Sequence, residues 1–123
     1  MRSAAGGCHC ASVRFEADIP DDAVLLDCNC SICTMTGFLH LIVPAPAFRL
    51  LTGQQFLTTY RFGGGTALHH FCRICGVKSF YRPRSHPDGV SLNARALDGG
   101  IPDLPIRSFD GRNWEAARLA LGE

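Results

Sequence analysis

No stretch of this chain approaches the roughly 18 consecutive apolar residues of a membrane helix. Its most apolar run, "FLHLIVPAPAF", is broken by two prolines. No apolar segment precedes the small residues of "MRSAAGGCHC", so neither a secretory nor a lipoprotein signal is expected, and the chain reads as cytoplasmic. Lysine and arginine form no run and the formal charge is only +1, which removes the electrostatic footprint of a DNA- or RNA-binding domain. Acidic tails, low-complexity segments and internal repeats of about 20 to 50 residues are missing too.

Helical periodicity is scarce. Most segments read as short strands rich in aromatic and β-branched residues and bounded by turn signals: "SVRFEAD" (12–18), "AVLLDC" (23–28), "FLHLIV" (38–43), "FRLL" (48–51), "FLTTYRF" (56–62), "ALHHFC" (67–72), "VKSFYRP" (77–83) and "VSLNARAL" (90–97). "GGG" (63–65) suits a hairpin tip, and "HPDG" (86–89) places Pro87 where a type I turn favours it. "SICTMT" before Gly37 reads as one helical turn, and "DGRNWEAARLALGE" (110–123) as a short C-terminal helix. With 123 residues, 46% of them apolar, the chain reads as one mainly β domain spanning 1–123, small enough to gain from a cross-link or metal.

Seven cysteines are what the chain has in excess. In a reducing compartment an odd number of thiols is expected to bind metal rather than pair as disulfides. They fall into three groups: "CHC" (Cys8, Cys10), "CNCSIC" (Cys28, Cys30, Cys33) and "CRIC" (Cys72, Cys75). Zinc takes four tetrahedral ligands, often as two short pairs from distant parts of a chain. Cys8, Cys10, Cys72 and Cys75 therefore predict a structural zinc site, with Gly76 positioned to bring amides toward the sulfurs. The triplet is local enough to hold one metal by itself, and three protein ligands predict a second zinc with an open position, as in catalytic sites. The alternative, a closed structural site completed by a histidine, has His40, His69, His70 and His86 as candidates.

Laid out in this order, the residues resemble the family of glutathione-dependent formaldehyde-activating enzymes, which includes centromere protein V. The match runs through "GGCHCASVRF", "CNCSICTMTGFLHLIVP", "FRLLTG", "TTYRF", "HHFCRICGVKSFYRPRSHPDG", "LNARALD" and "FDGRNWE". The tail "FDGRNWEAA" looks closer to the centromere protein V branch, while Ala11 and Ala96 stand where relatives carry glycine and cysteine.

The resemblance implies a β-tent (Mss4-like) fold of short antiparallel sheets with two zinc ions. It implies the quartet as structural ligands and Cys28, Cys30 and Cys33 as the zinc site linked to activity. The activity implied is that of a carbon–sulfur lyase joining a thiol such as glutathione to an aldehyde such as formaldehyde. A thiol filling the open position would lose its proton and attack the aldehyde carbon. Arg82, Arg84 and His86, in "YRPRSHPDG", are candidate binders of a carboxylate-bearing substrate, and His40 is a proton carrier or a surface residue. The competing function is a non-catalytic two-zinc module for a protein or nucleic-acid partner, the latter not favoured by the near-neutral charge.

Overall fold

The computed structural model describes residues 2–113. Strands β1 (Arg2–Gly7), β2 (Arg14–Ile19) and β5 (Phe48–Thr52) form one antiparallel sheet in the order β1-β2-β5. A five-stranded sheet has the order β10-β3-β4-β9-β8, built from β3 (Leu25–Cys28), β4 (Leu39–Pro44), β8 (Phe80–Tyr81), β9 (Gly89–Asn93) and β10 (Ile106–Phe109). Strands β6 (Leu57–Tyr60) and β7 (His69–Cys72) make a separate hairpin. Among the described residues the single α-helix, α1, spans Ser31–Thr36.

Alternation explains the first sheet. In β2, Phe15, Ala17 and Ile19 are buried, and Arg14, Glu16 and Asp18 point outward, where Arg49 of β5 meets both acids. The second sheet has a central strand instead. Every residue of β9 is buried, because β4 and β8 flank it and the rest of the molecule covers its faces. Phe15, Phe48 and Phe80 lock the two sheets together, with ring centroids 4.7 to 6.1 Å apart. Leu25, Leu41, Val43, Val90 and Leu92 fill the remaining core.

The mainly β expectation and the helical turn at "SICTMT" agree with this architecture, and the GGG tip joins β6 to β7. The "HPDG" turn closes with Gly89 N donating to His86 O at 2.9 Å. Several predicted strands are shorter than expected. "VSLNARAL" stops at Asn93, whose side chain accepts from Arg95 N and turns the chain into a 3-10 helix over Ala94–Ala96. The segment predicted over 77–83 pairs only at Phe80–Tyr81, plus a bridge from Arg82 to Leu68.

Two strands escape sequence reading. β1, "RSAAGG", has almost no side-chain signal. It is held by register, since a Cβ on Gly7 would collide with the Val13 carbonyl and one on Gly6 would stand 2.6 Å from Ala96 O. β10 pairs in parallel with β3, Ile106 opposite Leu25, a contact too distant in sequence for local patterns to reveal. The expected C-terminal helix lies beyond the described residues, except that Gly111–Asn113 form a 3-10 turn.

Candidate metal centres

The quartet assembles as the spacing predicts. Cys8 follows β1, Cys72 ends β7, and all four sulfurs of Cys8, Cys10, Cys72 and Cys75 lie within 4.8 Å of one another. Cys8 to Cys10 and Cys10 to Cys72 are both 3.7 Å, Sγ to Sγ. A tetrahedral ion with metal–sulfur bonds of about 2.3 Å requires edges of about 3.8 Å. Two edges match that length and all lie within 4.8 Å, so the donor set fits such an ion. Backbone amides support the sulfurs: Val13 N donates to Cys8 Sγ at 3.3 Å and Ile74 N to Cys72 Sγ at 3.4 Å. Gly76 adopts the left-handed conformation, φ 79°, that carries the chain past Cys75.

Ala11, between this pair and β2, also has a positive φ, 65°, the one such non-glycine among the described residues. For an L-residue that costs about 1–2 kcal/mol, against roughly 0.5–1 kcal/mol of extra unfolded-state freedom for glycine. Ala11→Gly is expected to stabilise the protein by up to about 1 kcal/mol, read as a higher denaturation midpoint at unchanged slope.

At the second centre, Cys28 ends β3 and Cys30 caps α1, its sulfur accepting from Cys33 N at 3.4 Å. Gly37, φ 66°, closes the helix and returns the chain into β4. β4 then carries His40 back over the cysteines, with Nε2 3.0 Å from Cys33 Sγ. Cys28, Cys33 and His40 place their donor atoms within 4.8 Å of one another. Cys30 stands at the edge of this group, interacting with Cys28 and Cys33; hydrogen bonds from Cys28 and then Cys33 pull its thiol down to about 2, while the same sharing pushes Cys33 up. Gly111, in the 3-10 turn that follows β10, closes the site, and a Cβ there would lie 2.5 Å from Cys28 Sγ.

His40 is 4% exposed, so the surface reading of this residue is overturned. Its Nδ1 is 3.0 Å from Ser91 Oγ and 3.3 Å from Tyr81 Oη. A tetrahedral ion bound by both Cys33 and His40 would need a sulfur-to-nitrogen edge of about 3.5 Å. The observed 3.0 Å is a hydrogen-bond contact, which leaves the imidazole bonded to the sulfur.

Burial, reinforced by nearby Lys78, pulls His40 down to about 4. A base whose pKa falls on folding loses stability as pH drops from its unfolded value toward its folded one, because the unfolded chain takes the proton first. Between pH 7 and 5, His40 is expected to remove about 2 kcal/mol. Denaturant unfolding of wild type and His40→Gln at both pH values checks this, the variant losing correspondingly less.

A cavity of about 520 Å³ opens over the three cysteines and is also lined by His40, Phe62, His69, Tyr81 and Arg84. That volume lies in the range of small-molecule sites. Of the three predicted carboxylate binders, Arg84 reaches the cavity. Arg82 is exposed outside it, and His86 lines a separate groove beside Ser85. The predicted opposition of His69 and His70 holds: His69 faces the cavity and His70 bonds Thr59 on the other side, 2.9 Å away.

Lys78 escaped sequence reading because an isolated lysine in a strand-like segment normally faces water. Here it is 8% exposed, with Nζ 2.7 Å from His69 Nδ1 and 4.0 Å from the centre of the Tyr81 ring. Burial pulls it down to about 8 and pulls His69 to about 4.

A β scaffold that joins a braced four-cysteine cluster to a second cysteine group on the floor of a cavity defines a small protein with two candidate metal centres. The chain belongs to the glutathione-dependent formaldehyde-activating enzyme family, whose model matches residues 3–107. It is 30% identical over 110 residues to a protein of Halomonas elongata described as a candidate glutathione-dependent formaldehyde-activating enzyme, covering 83% of this chain and 70% of that protein. The crystal structure of a Rhodobacter sphaeroides protein superposes with a TM-score of 0.72 at 33% identity, covering 84% of this chain and 99% of the other. Among the described residues, no helix is long and apolar enough to cross a membrane.

Proposed function

We propose that the protein is a zinc-dependent carbon–sulfur lyase that interconverts a thiol, an aldehyde and their hydroxymethyl-type adduct, with glutathione and formaldehyde as the pair. The observation that carries this reading is a cavity with Cys28, Cys30 and Cys33 on its floor, where His40 Nε2 lies at hydrogen-bond distance, 3.0 Å, from Cys33 Sγ. Cys8, Cys10, Cys72 and Cys75 would hold one zinc, and Cys28, Cys30 and Cys33 the other. Zinc at the second centre would supply one thing, stabilisation of a substrate sulfur as thiolate at neutral pH.

The chain's own residues do the rest. His40 presents Nε2–H to the Cys33 sulfur and accepts at Nδ1 from Ser91 or Tyr81, an arrangement that keeps the imidazole neutral and holds the ligand in place. Phe62 and the glycine tip line the cavity. Arg84, at the rim, is placed to meet a substrate carboxylate. In the forward direction, the sulfur lone pair bonds to the aldehyde carbon and the carbonyl electron pair moves to oxygen. That oxygen takes up the proton the thiol gave away, so nothing is oxidised or reduced.

Exchange spectroscopy with glutathione and ¹³C-formaldehyde tests the reading. Protein carrying two zinc ions is expected to speed interconversion of free aldehyde and adduct beyond the buffer rate. Fully loaded protein that leaves this rate at the buffer value would overturn it in favour of a binding module.

A further inference from the structure

We propose that His69 is the hydrogen-bond donor to the aldehyde oxygen, and that Lys78 is the positioning residue that holds His69 in the tautomer this requires. The role rests on the proposed lyase function; the tautomer does not.

An ammonium group has donors and no acceptor. With Lys78 Nζ 2.7 Å from His69 Nδ1, the ammonium form of Lys78 makes that ring nitrogen the acceptor, and the neutral ring then carries its proton on Nε2. The ring itself cannot swing. It stacks on Tyr81 at 4.8 Å and 11° on one side and on Phe62 at 5.3 Å and 25° on the other. Among the described residues, the hydrogen bond to the His69 side chain is at Nδ1, not at Nε2. Every fully buried side-chain nitrogen or oxygen among the described residues has a partner, so Nε2 is the ring atom that faces the cavity.

The other candidates are already engaged. His40 is bonded to Cys33 at Nε2 and to Ser91 at Nδ1, and the Tyr81 hydroxyl lies on His40. Lys78 is also costly where it stands, because methionine or leucine would pack the same space without a buried charge. Its ammonium sits over the rings of Tyr81, 4.0 Å, and Phe38, 4.7 Å. Those contacts hold the charge at His69 rather than letting it reach solvent.

As sulfur bonds to carbon, charge develops on the aldehyde oxygen. A fixed neutral N–H stabilises that charge without reorganising and without giving up its proton. Burial keeps the ring neutral across the physiological range, consistent with a donor of this kind.

Long-range ¹H–¹⁵N imidazole spectra of the zinc-loaded protein test the pairing directly. His69 is expected as the Nε2–H tautomer in wild type, and shifted toward Nδ1–H in Lys78→Met. A wild-type ring protonated at Nδ1 overturns the proposal, and this reading needs no variant to fold. In turnover, Lys78→Met and His69→Asn are expected to lower kcat by about 10- to 100-fold. KM for the thiol should stay within about threefold and zinc content should not change. His69→Gln, whose amide N–H reaches the Nε2 position, is expected to retain more activity than His69→Asn. Unchanged kcat in Lys78→Met also overturns the proposal. If wild type accelerates no exchange, the lyase function and the donor role fail together, while the spectra still decide the Lys78–His69 pairing.

Discussion

Cys72→Ser is expected to abolish the cooperative fold. Cys72 is completely buried, and its sulfur joins β7 to the "CHC" turn that follows β1, a link spanning 62 residues of chain. Binding of structural zinc by small domains is worth about 10–16 kcal/mol, comparable to the entire stability of a domain of this size, about 5–15 kcal/mol. Losing one of four ligands forfeits much of that and leaves three thiols crowded without an ion. Circular dichroism melts and zinc content together check the outcome: no cooperative transition, and no zinc at the quartet. A variant that melts like wild type would show that the quartet does not brace the fold.

Cys30→Ser is expected to act in the opposite way, removing activity while sparing the fold. Cys30 caps α1, and serine is among the best capping residues, so the helix keeps its start. What disappears is the thiolate at the edge of the group, the one most easily ionised. Zinc should fall from about two ions per chain to about one, the melting transition should persist, and aldehyde exchange should drop by at least about 100-fold. Global unfolding of this variant would make the second centre structural.

The division between these two sites was legible in the cysteine spacing. Two short pairs far apart and one triplet within six residues need no tertiary information to be sorted. The positions that shape the chemistry were not legible. His40 sits seven residues from Cys33 as the one polar side chain in the apolar run "FLHLIV", and only the turn at Gly37 reveals that it folds back onto that sulfur. Lys78 looks like any solvated lysine until β7 and β8 close around it. Ser91 becomes a partner of His40 because β9 pairs with β4 across 51 residues of chain. Arg82, Arg84 and His86 share one loop in sequence, but the chain turns between them and brings only Arg84 to the cavity. β1 and β10 were missed for the same reason: small residues and a distant parallel pairing leave no local periodicity.

The most direct test is zinc X-ray absorption on the two-zinc protein, with and without saturating glutathione. Seven cysteines shared by two ions give an average of about 3.5 sulfurs per zinc, and a visiting thiol should raise it to about 4. A sulfur count that does not move, together with imidazole scattering at bonding distance, would mean that His40 already fills the fourth position, and an open second centre would be contradicted.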